Sequence, residues 1–297
     1  MKLAPIALFT FKRLDTLKLT VEALQKNMLA SESDLIIFSD AAKKDVDIAK
    51  VTEVRAYIKT ITGFNTITVH ESPQNKGLAN SIIDGVSHIL ENHETLIVLE
   101  DDLLSSPNFL DFMNQALSFY KEDSKVISIS GYTLALPSLK KYSKDYYYGC
   151  RASSWGWGIW ANRWKNIDWN NEYYNNILTD KKIRQKLNRG GSDMSNMLKK
   201  QLNGKIDSWA IRFCYHQSVN DMITVFPTNS KIISIGFGES ATHTTGTKRF
   251  ITNLDTSLKR KFCFNSFKNM DKQLVKEFSQ KFSIKTRLID KIKQKLS

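Results

Sequence analysis

The run Leu-Ile-Val-Leu-Glu-Asp-Asp-Leu at residues 96–103 constrains the fold more than any other stretch of the chain. Its four leading apolar residues run directly into three carboxylates. An unbroken apolar run is typical of a strand buried on both faces, which predicts a central strand of an α/β sheet. Open α/β sheets bind ligands at the carboxyl ends of their strands. Glu100, Asp101 and Asp102 therefore mark the edge where a site is expected.

Three adjacent acids need a cation or a proton, because like charges repel and an unpaired carboxylate near a core is costly. One interpretation is a divalent metal site that holds a phosphorylated ligand. The alternative is that the acids cap the next helix, because an Asp before Ser105-Ser106-Pro107 also suits a turn and an N-cap. Both interpretations remain open at this point.

Strand and helix patterns alternate through residue 102, which predicts a mostly parallel sheet flanked by helices. Strands are predicted over residues 5–10, 35–38, 65–70 and 96–99, and helices over 16–28, 46–61 and 75–91. Further along, the pattern predicts a helix over 109–120, a strand over 125–131, partial helix over 170–200, and late strands over 222–226 and 232–235.

Composition narrows the class of protein but not its partner. The formal net charge of +13 attracts nucleic acid, anionic lipid or phosphorylated substrates alike. No window has the apolar length of a membrane span and the start lacks a signal-peptide pattern, so a cytoplasmic protein is expected. The three cysteines, Cys150, Cys214 and Cys263, indicate neither a disulfide framework nor a zinc site.

The last part of the chain combines many basic residues with regularly spaced apolar ones. Between Met270 and Ser297 there are eight Lys or Arg residues against three Asp or Glu, and apolar residues recur largely at helical spacing. This pattern predicts a basic amphipathic helix, which would lie on an anionic membrane surface. The alternative is a helix packed on the protein's own surface with its basic face in solvent.

Four segments follow one another in an order that resembles a known family. They are residues 10–13 after the first strand, Asp40 after the second, residues 75–79 before the fourth, and Glu-Asp-Asp at 100–102. This order resembles the nucleotide-sugar glycosyltransferases of the GT-A fold, a Rossmann-like α/β fold. Within them it is similar to bacterial polysaccharide-cluster transferases and to the N-acetylglucosaminyltransferase I type. The resemblance extends from about residue 4 to about residue 246.

The resemblance implies a donor site and a metal site. The implied nucleotide-sugar contacts are Thr10, Arg13, Asp40, Lys76, Gly77, Glu100 and Asp101. Asp102 would be the direct ligand of Mn²⁺ or Mg²⁺, although this chain has Glu-Asp-Asp where Asp-X-Asp is commoner. A hard cation bridging two phosphates offsets the charge that builds as the sugar leaves. Taken alone, Arg13 and Lys76 also suit a solvated surface, and Asp40 a helix N-cap.

The resemblance divides the chain into a nucleotide-sugar-binding half at residues 1–130, an acceptor-binding and catalytic half at 131–250, and a basic helical tail at 251–297. In the second half, indole rings can stack on sugars. The candidates are Trp155, Trp157 and Trp209. The alternative, expected for at least half of the tryptophans, is that they belong to the core.

The resemblance also implies a catalytic base, Asp207, in the segment Asp-Ser-Trp. An inverting transfer needs one carboxylate near the acceptor hydroxyl. Asp207 could instead pair with Arg212 or cap the helix that begins at Ser208. His243 falls where this fold often places a late metal or phosphate contact, though a lone histidine is more often structural.

The leading hypothesis is a metal-dependent inverting hexosyl- or N-acetylhexosaminyltransferase. It would move a sugar from a nucleotide-diphosphate donor, UDP-sugar by default, to a glycan or lipid-linked glycan of a surface polysaccharide. Its tail would hold it at the inner membrane face. A sugar nucleotidyltransferase is a second hypothesis, disfavoured because the loop after the first strand has no glycine. A single-strand-binding protein is a third, disfavoured because the strongest basic cluster lies away from the tryptophans, so no nucleic-acid partner is expected.

Overall fold

The computed structural model describes residues 2–170, 174, 179–236 and 249–296. The strands of this part are β1 (Ile6–Thr10), β2 (Asp34–Ser39), β3 (Thr66–Glu71), β4 (Thr95–Glu100), β5 (Leu103–Ser105), β6 (Val126–Ser130), β7 (Tyr146–Gly149), β8 (Trp157–Trp160), β9 (Ile223–Pro227) and β10 (Ile232–Ser234). The helices are α1 (Leu14–Gln25), α2 (Ile48–Ile58), α3 (Leu78–Leu90), α4 (Phe109–Phe119), α5 (Ala161–Trp164), α6 (Lys181–Asn188), α7 (Met194–Leu202), α8 (Trp209–Val219), α9 (Lys272–Lys281) and α10 (Ile284–Leu296).

Eight strands form one sheet in the order β3-β2-β1-β4-β8-β6-β9-β7. The first four are parallel, as the alternating sequence pattern predicts. β8 runs antiparallel between β4 and β6, β9 is parallel to β6, and β7 is antiparallel to β9. The sheet is therefore mixed, with a parallel first half, and helices flank it. β5 and β10 pair separately as an antiparallel ribbon.

Successive residues of the central strands point to opposite faces, and both faces are covered. Leu8 packs in one cluster with Leu17 of α1, whereas Phe9 packs in the other with Ile82 of α3. The four apolar residues at 96–99 are fully buried, which confirms the predicted central strand. This burial brings the acids that follow them to the edge of a rigid sheet.

Strands β5, β7 and β8 were not expected from the sequence. β7 and β8 have no polar alternation, because every residue in each is buried. β8 instead consists of Trp-Gly-Ile-Trp, whose bulk covers the sheet while Gly158 lets Met113 and Leu117 approach closely. Aromatic runs of this kind do not distinguish a buried strand from a ligand surface.

The basic tail forms two helices where one was predicted. Helix α9 buries Leu274 and Phe278 against the body of the protein, so it follows the alternative of packing on the protein's own surface. On α10 the apolar side chains that the structure describes are exposed, by 61% at Ile284, 56% at Leu288 and 58% at Ile292. None of the described helices combines the length and apolarity of a membrane span.

Candidate active site

Three strand ends meet at one edge of the sheet. β2, β1 and β4 are parallel neighbours, so their carboxyl ends lie side by side. Thr10 ends β1, Asp40 follows β2, and Glu100 ends β4. The structure therefore brings together the first-half residues that the sequence selected.

Arg13 bridges two of the three acids. Its Nη2 lies 2.5 Å from Oδ1 of Asp101, and its Nη1 lies 3.0 Å from Oδ2 of Asp102. Burial lowers the pKa of Arg13, but the two aspartates outweigh it and leave that pKa above its ordinary value. The guanidinium thus stays charged between the carboxylates, and it is not a solvated surface group.

Asp101 is held more completely than Asp102. Its Oδ2 accepts hydrogen bonds from Oγ1 of Thr10 at 3.1 Å and from N of Phe11 at 3.2 Å. The side chain of Asp101 is 5% exposed, whereas that of Asp102 is 17% exposed. Within the described residues Arg13 is the one side-chain partner of Asp102. Asp101 therefore anchors the cluster, and Asp102 presents its carboxylate outward.

The segment after β10 closes in on Asp102 from the other side. The carbonyl oxygen of Asp102 accepts a hydrogen bond from N of Ile235 at 2.9 Å. A Cβ atom at Gly236 would lie 1.9 Å from Oδ2 of Asp102 and 3.2 Å from Nη1 of Arg13, so any larger residue there would force the side chain of Asp102 to shift. Gly236 was not selected from the sequence, where nothing relates it to the acids. His243 lies outside the described residues.

Glu100 completes the acidic cluster, and its side chain is partly buried. Burial raises the pKa of Glu100 to about 8; Asp102 and Asp101 add to the rise and Arg13 opposes it. No hydrogen-bond donor among the described residues reaches this carboxylate. Ionising all three acids with Arg13 alone as counter-charge is thus unfavourable, and a further cation would relieve it.

The donor atoms of this cluster suit a hard cation with few protein ligands. In the described part of the chain, no three His, Cys, Asp or Glu side chains converge as a metal cluster. Mg²⁺ and ions like it often take one or two carboxylates and complete their shell with phosphates and water. The partly exposed carboxylate of Asp102 and the carboxylate of Glu100 fit that pattern better than the closed set typical of zinc.

Asp40 shapes the loop that precedes α3. Its oxygens accept hydrogen bonds from N of Lys76 at 2.9 Å, N of Gly77 at 3.0 Å and Nδ2 of Asn75 at 3.1 Å. Gly77 has a φ of +74°, a conformation that favours glycine. The Nζ of Lys76 lies 2.7 Å from Oδ2 of Asp84 in an exposed ion pair. Contact of Asp40 or Lys76 with a nucleotide remains a prediction.

Asp207 lies at the start of α8 and is 58% exposed. Its Oδ1 is 3.0 Å from Nη2 of Arg212, so the ion pair left open by the sequence is present. The helix cap belongs to Ser208, whose Oγ accepts a hydrogen bond from N of Ile211 at 3.4 Å. An exposed, oriented carboxylate is compatible with a base, and that role remains a prediction.

The tryptophans divide into core and surface. Trp157 and Trp209 are 2% and 4% exposed and stack at 4.8 Å, so each ring face meets the other inside the protein. Trp155 is only partly buried and packs edge to face on Tyr132 at 4.6 Å. Among the three predicted acceptor residues, Trp155 is the one that keeps accessible surface.

The Trp157–Trp209 stack also locates Asp207. Trp157 pairs in register with Ser130, the last residue of β6. β6 runs parallel to β4, because each is antiparallel to β8. The start of α8 therefore lies toward the same edge of the sheet as the acids, which places Asp207 on that side of the molecule.

A cavity of about 460 Å³ lies at the opposite edge of the sheet, beside the start of β6. Arg163 lines it and donates from Nη2 to the carbonyl oxygens of Tyr120, Lys121 and Asp123 at 2.9 to 3.0 Å. These bonds satisfy the carboxyl end of α4, which is a structural role.

No protein-family model and no curated protein sequence matches the chain. Among solved structures, similar chains include the mannosyltransferase PcManGT from Pyrobaculum calidifontis in complex with GDP-Man and Mn²⁺, at 10% identity and a TM-score of 0.38 over 53% of this chain and 44% of that one. Another is TarS 1–349 from S. aureus in complex with UDP, at 12% identity and a TM-score of 0.30 over 42% of this chain and 34% of that one. The matches span less than half of each neighbour. Likenesses this partial carry no weight for the function, which must be judged from the site itself.

Proposed function

We propose that the chain is a metal-dependent, inverting glycosyltransferase of the GT-A type. Its donor would be a nucleotide-diphosphate sugar, UDP-sugar by default, and its acceptor a hydroxyl of a surface-polysaccharide glycan or lipid-linked glycan. One observation carries the proposal: Arg13 and the acids at 100–102 converge with the loop held by Asp40 at one sheet edge. A guanidinium can bind the phosphates directly, and carboxylates can bind them only through a cation that they hold.

The residues of the first half would divide the work of donor binding. Arg13 offers a fork of donors that matches phosphate oxygens. Asp40 holds the backbone at Lys76 and Gly77 in one conformation beside the nucleotide. Asp102, with Glu100 behind it, would hold Mn²⁺ or Mg²⁺. When bound, the cation would offset the charge that develops on the departing diphosphate.

The second half would supply the acceptor side. Asp207 would take the proton of the acceptor hydroxyl, and its ion pair with Arg212 would fix the direction of the carboxylate. Trp155 would offer a partly exposed ring to the sugar. Trp157 and Trp209 would act from beneath, as the packed layer on which α8 rests.

Thermal stabilisation by a panel of nucleoside diphosphates, with and without Mn²⁺, tests the donor assignment. We expect one nucleoside diphosphate to raise the melting temperature, and Mn²⁺ to enlarge the rise. Asp102→Asn should lose the Mn²⁺-dependent part, whereas Asp45→Asn, at an exposed carboxylate, should keep it. Absence of any response to the whole panel would contradict the proposal.

We also propose that α10 attaches the protein to an anionic membrane surface. Ile284, Leu288 and Ile292 recur every four residues and are exposed, and the tail is basic. Apolar side chains beside basic ones suit the boundary between headgroups and acyl chains. Cosedimentation should be stronger with anionic than with neutral vesicles and should be lost in Leu288→Glu. Leu258→Glu, at a residue 69% exposed elsewhere, is the matched control, and equal loss in both variants would contradict the attachment.

A further inference from the structure

We infer that Arg13 is an internal competitor of the metal ion. Arg13 pairs with the carboxylate of Asp102, and the donor's diphosphate would draw it away so that the cation can bind there. This inference rests on the proposed function, because it assigns a sequence of events to the same site. Its consequence is that neither metal nor nucleotide binds well without the other.

The first support is the unequal holding of the two aspartates. Asp101 accepts hydrogen bonds from Thr10 and Phe11 in addition to its pair with Arg13. Asp102 depends on the guanidinium at 3.0 Å for its side-chain partner. A guanidinium is always charged in a protein. A divalent ion arriving at Asp102 must therefore bind against a fixed positive charge at contact distance.

The second support is the geometry around Asp102. Its carbonyl oxygen accepts a hydrogen bond from N of Ile235, and the backbone of Gly236 lies beside Oδ2 on one side of the carboxylate. Arg13 is long and 21% exposed, so it is the partner able to move. It can turn Nη1 toward a phosphate while Nη2 stays on Oδ1 of Asp101.

The exchange makes binding of metal and nucleotide cooperative. Phosphate oxygens accept the same forked donors that the carboxylates accept. Once Nη1 turns to a phosphate, Asp102 is released to the cation. Coupling of this kind is reciprocal, so the nucleotide raises the metal affinity by the factor by which the metal raises the nucleotide affinity.

Binding of Mn²⁺, followed by the electron paramagnetic resonance of the free ion, measures this coupling without reference to activity. The titration is run with and without saturating UDP, and again with GDP. Wild type should bind Mn²⁺ weakly alone and more tightly with the diphosphate. Arg13→Gln should bind Mn²⁺ alone about tenfold more tightly, and its gain from the diphosphate should shrink toward none. Lys18→Gln, which removes one exposed charge from the helix that follows Arg13, should behave as wild type.

Two further readouts keep the test decisive. If Arg13→Gln melts far below wild type, Arg13→Lys replaces it, and loss of the fork should still tighten Mn²⁺ binding by a smaller factor. Mn²⁺ binding alone that is unchanged or weaker in the folded variant overturns the inference. Tighter Mn²⁺ binding in the variant, with no diphosphate bound by either protein, supports the competition between Arg13 and metal and contradicts the glycosyltransferase proposal instead.

Discussion

The charged edge and the tryptophan cluster were equally conspicuous in the sequence, and the structure treats them in opposite ways. Arg13 and Asp102 remain partly exposed at strand ends, and Asp101 is buried there with its hydrogen-bond partners. Trp157 and Trp209, chosen from the sequence as ligand contacts, stack inside the protein. Carboxylates are costly to bury without partners, whereas indole rings gain from burial. Charges that follow an apolar run therefore mark the end of a strand, whereas clustered aromatic residues do not distinguish a ligand surface from the core.

The largest expected effect is at Asp102, which tests whether the charged edge holds a metal ion. Asp102→Asn keeps the shape of the side chain and removes the charge that would hold a cation. We expect donor turnover to fall about a thousandfold, because metal stabilisation of the leaving group is worth several kcal/mol. The melting temperature should stay near that of wild type, since Asp102 is partly exposed and its charge repels Glu100. Steady-state turnover with Mn²⁺ measures the effect, with Asp45→Asn as control; near-normal turnover in Asp102→Asn would remove the metal from this edge.

The parallel half of the fold was predictable because its strands are short, apolar and regularly separated by helices. The helix predicted over 46–61 is observed as Ile48–Ile58, and the strand predicted over 65–70 as Thr66–Glu71. The second half was harder, since β8 is inserted antiparallel between β4 and β6. Such an insertion depends on contacts between distant residues, to which local periodicity is blind.

The same division applies to the site. The rule that ligands bind at the carboxyl ends of parallel strands predicted a site at the acids, and the family resemblance added Thr10 and Arg13. Two other features are tertiary contacts that no local sequence pattern predicts. Gly236 packs beside Asp102, and Asp40 accepts hydrogen bonds from the loop before α3. The sequence therefore indicates which charged residues lie at the same edge of the sheet. The structure adds which of them already have hydrogen-bond or ion-pair partners.

Trp157 tests the other side of the comparison. Trp157→Ala should lower the free energy of unfolding by at least about 3 kcal/mol, because it empties a large buried volume between Trp209 and Trp164. Denaturant unfolding measures the loss, and Trp157→Phe should lose less because it keeps part of the ring contact. If Trp157→Ala left stability unchanged and weakened acceptor binding, Trp157 would be a ligand contact and not a core residue.

Substitution of Asp207 tests whether the proposed active site includes a residue from the second half of the chain. In Asp207→Asn we expect transfer to fall about a hundredfold through loss of the base, with donor affinity unchanged. Stability should change by about 1 kcal/mol or less, because the ion pair with Arg212 is exposed on the Asp207 side. Asp221→Asn is the matched control, since Asp221 forms an exposed pair with Lys186 just past the other end of α8. Equal transfer by the two variants would assign the base elsewhere.

Substitution of Trp155 should have the smallest effect on activity. It tests where the tryptophan core ends and the proposed acceptor surface begins. It contacts Tyr132 yet keeps accessible surface, so Trp155→Ala should destabilise the fold less than Trp157→Ala does. If its ring stacks on the acceptor sugar, the acceptor KM should rise by a factor of a few, on the order of 1 kcal/mol, while the donor KM stays constant. Trp155→Phe should recover much of the acceptor affinity, because a flat apolar face is retained. If Trp155→Ala lost as much stability as Trp157→Ala and kept its acceptor KM, Trp155 would belong to the core. Acceptor binding would then depend on polar residues around Asp207.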